Sequence, residues 1–194
     1  MPQDTRERIL TVARELFTEH GYDATSLREI ADRLGFTKAA LYYHFQSKDQ
    51  IMLALLEPIQ QLLDEFLDRL EAAQGLEEWA DALGWVIGQM EAQLPLFRLL
   101  QRNRMAVEQL GGWHDADSDH LQIHERLERA VRTKTSSLRD QVRMIAALGA
   151  VTGFDDWAPG LLIEAPMADL RAELTAAVRD VLGLPAAIPT RAAG

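Results

Sequence analysis

The chain has 194 residues, 47% of them hydrophobic and 26% charged, with a formal net charge of −10. That length suits one moderate domain or two small ones with cores of their own, and the composition excludes wholesale disorder, collagen-like repeats and low-complexity sequence. With no cysteine there are no disulfides, cysteine-ligated zinc sites or thiol catalysis, and no apolar run approaches the ~20 residues of a membrane span.

Met1 to Leu10 is polar where a secretory signal is apolar, so a cytoplasmic location is expected. Helical periodicity dominates and no alternating β run is found, which predicts an all-α fold of about nine helices. Ile9, Ala13, Leu16 and Phe17 form one apolar stripe, so the first helix is expected over Thr5 to His20, stopped by Gly21. Ser26 can cap the next helix while Glu29 reaches back to its amide, and Leu27, Ile30, Ala31 and Leu34 supply a stripe of two turns that Gly35 ends. Thr37 caps a third short helix to about His44. Ser47 to Gln50 repeats the capping pattern and opens a long fourth helix, with a kink expected near Pro58.

Beyond Gly75 the spacing predicts helices over Glu77 to Gln93, Leu96 to Leu110, His120 to about Thr133, Leu138 to Phe154 and Pro166 to Leu182. Gly111 to Asp119 reads as the longest loop, and the end of the chain, with two prolines and several alanines, as a frayed tail.

Two short helices joined by a glycine-containing turn make a helix-turn-helix, whose second helix enters the DNA major groove. Ala31 at the helix crossing, Gly35 at the turn and Leu41 as apolar anchor meet its demands. Leu41 and Phe45, four apart, can face a core, which leaves Lys38, Ala39, Tyr42 and Tyr43 for another surface. Taken singly, each is ordinary: tyrosines are often half-buried packing, Lys38 a solvated lysine, and Arg28 an ion-pair partner for Asp32 at i,i+4. The spacing of the set, between two capped ends, is far more specific.

Thr5 to about Leu63 resembles the DNA-binding region of the TetR/AcrR (tetracycline-repressor-like) family of bacterial transcriptional regulators. The stretches that carry the likeness are Arg8-Ile9-Leu10 with Leu16-Phe17, Gly21 to Ala31, and Leu41 to Lys48. The resemblance implies a helix-turn-helix DNA-binding domain at 4–64, a helical effector-binding and dimerisation domain at 65–185 and a flexible tail at 186–194. It also implies a homodimer that binds a palindromic operator in double-stranded DNA and is released by a small-molecule effector. Carried across by position, Lys38 and Ala39 approach base edges, Thr37 and Tyr42 touch phosphates, and Tyr43 and His44 meet backbone or thymine methyls. Lys48 matches a phosphate clamp, Arg28 a position that reads guanine in some members, and Ser26 a cap that can also touch a phosphate. Ala39-Ala40 departs from the glycine that many relatives carry in this helix.

In the second domain, Trp79, Trp85, Met90, Phe97, Met105, Trp113, Phe154 and Trp157 supply large apolar groups suited to lining a pocket for a largely apolar effector, or to core and dimer contacts. Arg98, Arg102 and Arg104 share one predicted helix, where an inward-facing member would orient an acidic ligand. His120 and His124 stand four apart near Asp115, Asp117 and Asp119, yet no further ligand pattern accompanies them, and no metal or cofactor is expected. For a dimer interface, the last helix repeats Met167, Leu170, Leu174, Ala177, Val178 and Val181. The preceding helix offers Ala146, Ala147, Gly149, Ala150 and Gly153 beside Val142 and Ile145.

An acidic chain is a poor match for phosphates, but the charge is unevenly placed. Up to Lys48, seven basic and seven acidic residues cancel, and no acidic residue lies between Arg33 and Lys48, so the whole −10 falls beyond the motif. A helical enzyme or metal-binding protein is the alternative reading, but no nucleophile with its base, phosphate loop or H-E-x-x-H is present. A DNA-binding architectural protein without effector is a third.

Overall fold

The computed structural model describes residues 2–110, 119–152 and 166–186. Eight helices occur among them: α1 (Pro2–Glu19), α2 (Leu27–Leu34), α3 (Lys38–His44), α4 (Lys48–Ala72), α5 (Leu76–Gln109), α6 (Asp119–Lys134), α7 (Leu138–Thr152) and α8 (Met167–Leu182). The loop expected at Gly111 to Asp119, the end of the helix expected to reach Phe154 and most of the tail lie outside the described residues. The chain divides into two compact units, Met1–Gln61 with Gln93–Leu121, and Leu62–Ala92 with Gln122–Gly194. Both α4 and α5 therefore contribute one stretch to each unit.

The first unit is built around the stripe read from sequence. Ile9, Ala13, Leu16 and Phe17 of α1 are buried with Ile30 and Ala31 of α2, Leu41 of α3, Phe45 and the first turns of α4. Local signals set the ends. Ser26 Oγ accepts from Glu29 N at 3.1 Å and Thr37 Oγ1 from Ala40 N at 3.2 Å, each cap contributing about 1 kcal/mol. Glu29 turns its Oε1 to His20 Nδ1, 3.2 Å away. At the start of α4 Ser47 Oγ accepts from Gln50 N, while Gln50 Oε1 reaches past the cap and accepts from Gln46 N instead of from Ser47 N. Gly35, at φ +69°, ends α2 in a Schellman arrangement in which Phe36 N donates to Ala31 O and Gly35 N to Asp32 O.

The turn between α1 and α2 is held by side chains distant in sequence. Tyr22 N donates to Asn103 Oδ1 at 2.6 Å, and the Tyr22 hydroxyl donates to Asp49 Oδ1. The Lys48 ammonium donates to Tyr22 O and, at 2.9 Å, to Thr25 O, and lies 4.1 Å from the Tyr22 ring centroid. Burial and the Asp49 hydrogen bond push the Tyr22 phenol well above its ordinary range.

One sequence expectation changes in α5. A break between two helices is expected near Pro95, but the helix continues through Pro95 and the break falls at Asn103 (φ −119°, ψ 21°), within the 34 residues of Leu76–Gln109. Proline removes one backbone donor, which a long helix tolerates when both halves are packed, and Leu96 and Leu99 are buried immediately after it. Pro58 likewise sits inside a continuous α4.

In the second unit, Phe66, Leu70, Trp79, Leu83 and Ile87 are buried with residues of α6, α7 and α8. Asp64, Asp68 and Glu71 share one face of α4 and all reach Arg126 of α6, at 3.7, 2.6 and 2.8 Å. The Arg126 hydrogen bond holds the Glu71 carboxyl below the usual carboxylate range. Lys134 Nζ adds a bond to Glu71 O at 2.6 Å.

Gly35→Ala meets no atom within 4 Å, so its cost is the left-handed backbone alone; about 1 kcal/mol is expected, lowering the thermal midpoint by about 3 °C. Tyr22 contributes stability that is complete below its unfolded pKa of about 10 and is lost as pH rises above it, because folding favours the protonated phenol. In urea titrations, Tyr22→Phe is expected to be less stable than wild type at about pH 8, with the gap closing by about pH 11. A gap that stays constant would refute the role given to the phenol.

Candidate nucleic-acid interface

The α2 and α3 helices are short because each carries its own stop: Gly35 for the first and the extended Phe45 for the second. Within α3 only Leu41 is buried, and it anchors the helix with Phe45 beside it. The opposite side is open. Thr37, Lys38, Ala39, Tyr42 and Tyr43 are all exposed, Tyr43 to 85%, and His44 is half-buried. Lys38 Nζ lies 5.4 Å from the Tyr42 ring centroid, and the Tyr43 and His44 rings meet edge to face at 5.3 Å. A large, rigid, hydroxyl-bearing aromatic left in water by a protein that buries its other tyrosine, Tyr22, calls for a partner surface.

A two-turn helix bearing one cation, two phenols and small apolar groups on its open side is chemically matched to the major groove. It is about 10–12 Å across against a groove about 12 Å wide. The cation suits base or phosphate oxygens, the phenols suit phosphate oxygens, and Ala39 leaves room for close approach. No carboxylate occurs from Arg33 to Lys48 to oppose that contact.

The remaining expected contacts are placed differently. Ser26 and Thr37 spend an oxygen lone pair on capping while staying exposed. Arg28 Nε lies 3.6 Å from Asp32 Oδ2 with both side chains largely in water, an arrangement of little energetic weight that a guanine or phosphate can displace. Lys48 is half-buried and already occupied by two carbonyls, so it braces the α1–α2 turn besides whatever it offers a phosphate. Asn103, Tyr22 and Asp49 did not stand out in the sequence. Their partners lie 81 and 27 positions away, beyond any local pattern.

The eight apolar residues expected to line a pocket do not assemble as one set. Trp79 is completely buried in the second core, and its Nε1–H has no hydrogen-bond acceptor among the described residues. Trp85 is partly buried against the same core, with the Arg69 guanidinium 4.2 Å from its ring centroid. Phe97 and Met105 fall in the first unit instead. Met105 is 75% exposed because it lies off the Leu99, Asn103, Ala106 and Val107 stripe that α5 buries, so it lines no enclosed space. The Met90 side chain and Trp113, Phe154 and Trp157 lie outside the described residues. A cleft of about 240 Å³ in the first unit is lined by Arg14, Glu15, Thr18, Glu19, Pro95 and Arg98, and includes none of the eight.

Arg98, Arg102 and Arg104 are all exposed, the last paired with Glu108. His124 is exposed, and the His120 side chain lies outside the described residues. Among the described residues no group of three acidic, histidine or cysteine side chains is arranged to hold a metal ion, and no helix is long and apolar enough to cross a membrane.

Residues 9–55 match the family model for bacterial regulatory proteins of the tetR family. Over 146 residues the chain is 27% identical to the HTH-type transcriptional repressor AcnR of Corynebacterium efficiens, covering 74% of this chain and 70% of that one. It is 45% identical over 58 residues to the HTH-type transcriptional activator FasR of Mycolicibacterium smegmatis, a match that spans only 29% of this chain and 26% of the other. Among solved structures it is similar to the TetR family transcriptional regulator PfmR of Thermus thermophilus, with 26% identity and a TM-score of 0.58 over 91% of this chain and 98% of that one. The helix-turn-helix geometry and the family-model match across it agree: residues 9–55 form a DNA-binding region of the tetR type of bacterial regulatory proteins, and nearly the whole chain is similar in fold to a solved member of that family.

Proposed function

We propose that this chain is a ligand-responsive transcriptional repressor that binds a palindromic operator as a homodimer and releases it when a small molecule binds. The observation that carries the DNA-binding part is the open side of α3, where Lys38, Ala39, Tyr42 and Tyr43 stand exposed on a helix anchored by Leu41. Thr37 and His44 flank this group, and Ser26, Arg28 and Lys48 supply contacts toward the phosphates. The domain limits that go with this reading are 4–64 for DNA binding and 65–185 for effector binding and dimerisation, with 186–194 as a tail. Repression is preferred to activation because the longer match is to a repressor, while the match to an activator is confined to 58 residues.

For the dimer, α7 divides its apolar residues between two faces. Met144, Ala147 and Val151 are buried within the second unit, whereas Leu138, Val142 and Ile145 are exposed at i, i+4 and i+7, Ile145 to 58%. An apolar stripe of this kind beside Ala146 and Gly149 suits an isologous helix contact with a second copy. For the effector, Trp79 offers a buried N–H donor without a partner among apolar neighbours. An apolar molecule with one hydrogen-bond acceptor fits that chemistry.

Selection from a pool of random duplexes is expected to enrich an inverted repeat. Tyr42→Ala combined with Tyr43→Ala is expected to lower affinity for it by about tenfold or more with folding intact, and Lys38→Ala to change which bases are enriched; unaltered binding by the double variant would remove α3 as the reading helix. Light scattering at micromolar concentration is expected to give a dimer for wild type and a monomer for Ile145→Asp. A monomeric wild type would refute the interface.

A further inference from the structure

We propose that Asn103 is the positioning residue through which α5 sets the DNA-binding competence of the α1–α3 region, an inference that rests on the DNA-binding reading above. Asn103 is 4% exposed and, with Thr25, makes up the buried polar residues among those described. Its side-chain amide makes three hydrogen bonds, to backbone groups of α1, of the α1–α2 turn and of α5 itself. Oδ1 accepts from Tyr22 N at 2.6 Å, while Nδ2 donates to Phe17 O at 3.1 Å and to Leu99 O at 2.7 Å. Phe17 and Tyr22 bracket the end of α1 and the turn that leads into α2, so one amide grips both sides of that turn.

The same residue is the one position in α5 with non-helical dihedrals. Asparagine suits such a place because its short amide competes with the backbone for local hydrogen bonds, here by taking the carbonyl four residues earlier. The break in α5 and the grip on the turn are thus made by one side chain. From Tyr22 the connection continues through its hydroxyl to Asp49 and through its carbonyl to Lys48, the first two residues of α4. These residues follow α3 by only a few positions, so the turn, the start of α4 and the recognition helix are referenced to the same amide. Residues 76–92 of α5 belong to the second unit, where Trp79 lies. Release of the amide leaves Tyr22 N without its acceptor in a site closed to water, so held and released arrangements are discrete rather than graded.

The test compares Asn103→Ala with Val107→Ala, an apolar truncation one turn later in the same helix and core. Affinity is measured by fluorescence anisotropy on the duplex selected with wild type, at a temperature where circular dichroism shows both variants folded. Asn103→Ala is expected to weaken binding by about tenfold and Val107→Ala by less than about twofold. Equal losses, or none for Asn103→Ala, would overturn the proposal. If Asn103→Ala does not fold, hydrogen exchange of wild type decides. The Tyr22 amide is expected to slow on duplex binding by about tenfold more than the Ile9 amide in the same core; equal slowing would overturn it. A wild-type protein that enriches no duplex at all overturns the DNA-binding reading itself, whereas failure in the comparison of variants removes only the role of Asn103.

Discussion

What α3 presents to the outside depends on how firmly the α1–α2 turn is fixed, and that turn is fixed at Tyr22. Its amide, carbonyl, hydroxyl and ring each have a separate partner, drawn from α5, from both of the first two residues of α4, and from Phe17 of α1. A short helix has little stability of its own, since nucleation is costly and each added residue returns only one bond. The eight residues of α2 and seven of α3 therefore persist because their ends are capped and their few apolar side chains fall into a core already assembled by α1, α4 and α5. With the turn fixed, two helices too short to stand alone become a rigid surface.

Charge and packing divide the chain's tasks. The region up to Lys48 is neutral overall and free of carboxylates across α3, while the net negative charge is carried beyond Lys48. Only part of that acidity is spent on structure, as where three carboxylates of α4 converge on Arg126. Two of those carboxylates are largely in water, so the contact orients α6 along α4 more than it stabilises the fold. On the function proposed above, a nearly neutral reading surface gains little from counterion release, which leaves discrimination to groove contacts and to the spacing of two copies. The stripe of α7 and the tyrosines of α3 are places where several large apolar side chains lie exposed close together in sequence.

The caps at Ser26, Thr37 and Ser47, the stop at Gly35, the buried stripe of α1 and the anchor pair Leu41 and Phe45 were all legible in order along the chain. Each depends on residues within one or two turns of one another, and such patterns survive in sequence because the physics that sets them is local. The face of α3 was legible for the same reason. Lys48 was legible as a position but not as a brace, since its two carbonyl partners are 26 and 23 residues away. Met105 illustrates the opposite error: an apolar residue type suggested an enclosed lining, but its angular position on α5 turns it outward.

The sequence by itself determined the helical content, the capped helix-turn-helix, the composition of its open face and the separation of acidic charge from it. Those features follow from periodicity, capping chemistry and counting, none of which requires knowing what lies across the core. Only the tertiary structure decided that α5 runs through Pro95 and breaks at Asn103, that this break lies in the same compact unit as α2 and α3, and that Tyr22 is the point where α1, α4 and α5 are joined. A proline is a strong local signal and an asparagine a weak one, yet packing on both sides outweighed the first and three backbone groups, two of them distant in sequence, gave the second its place. Where a helix breaks is settled by the hydrogen bonds available at the break, and at Asn103 two of those three come from residues more than eighty positions away.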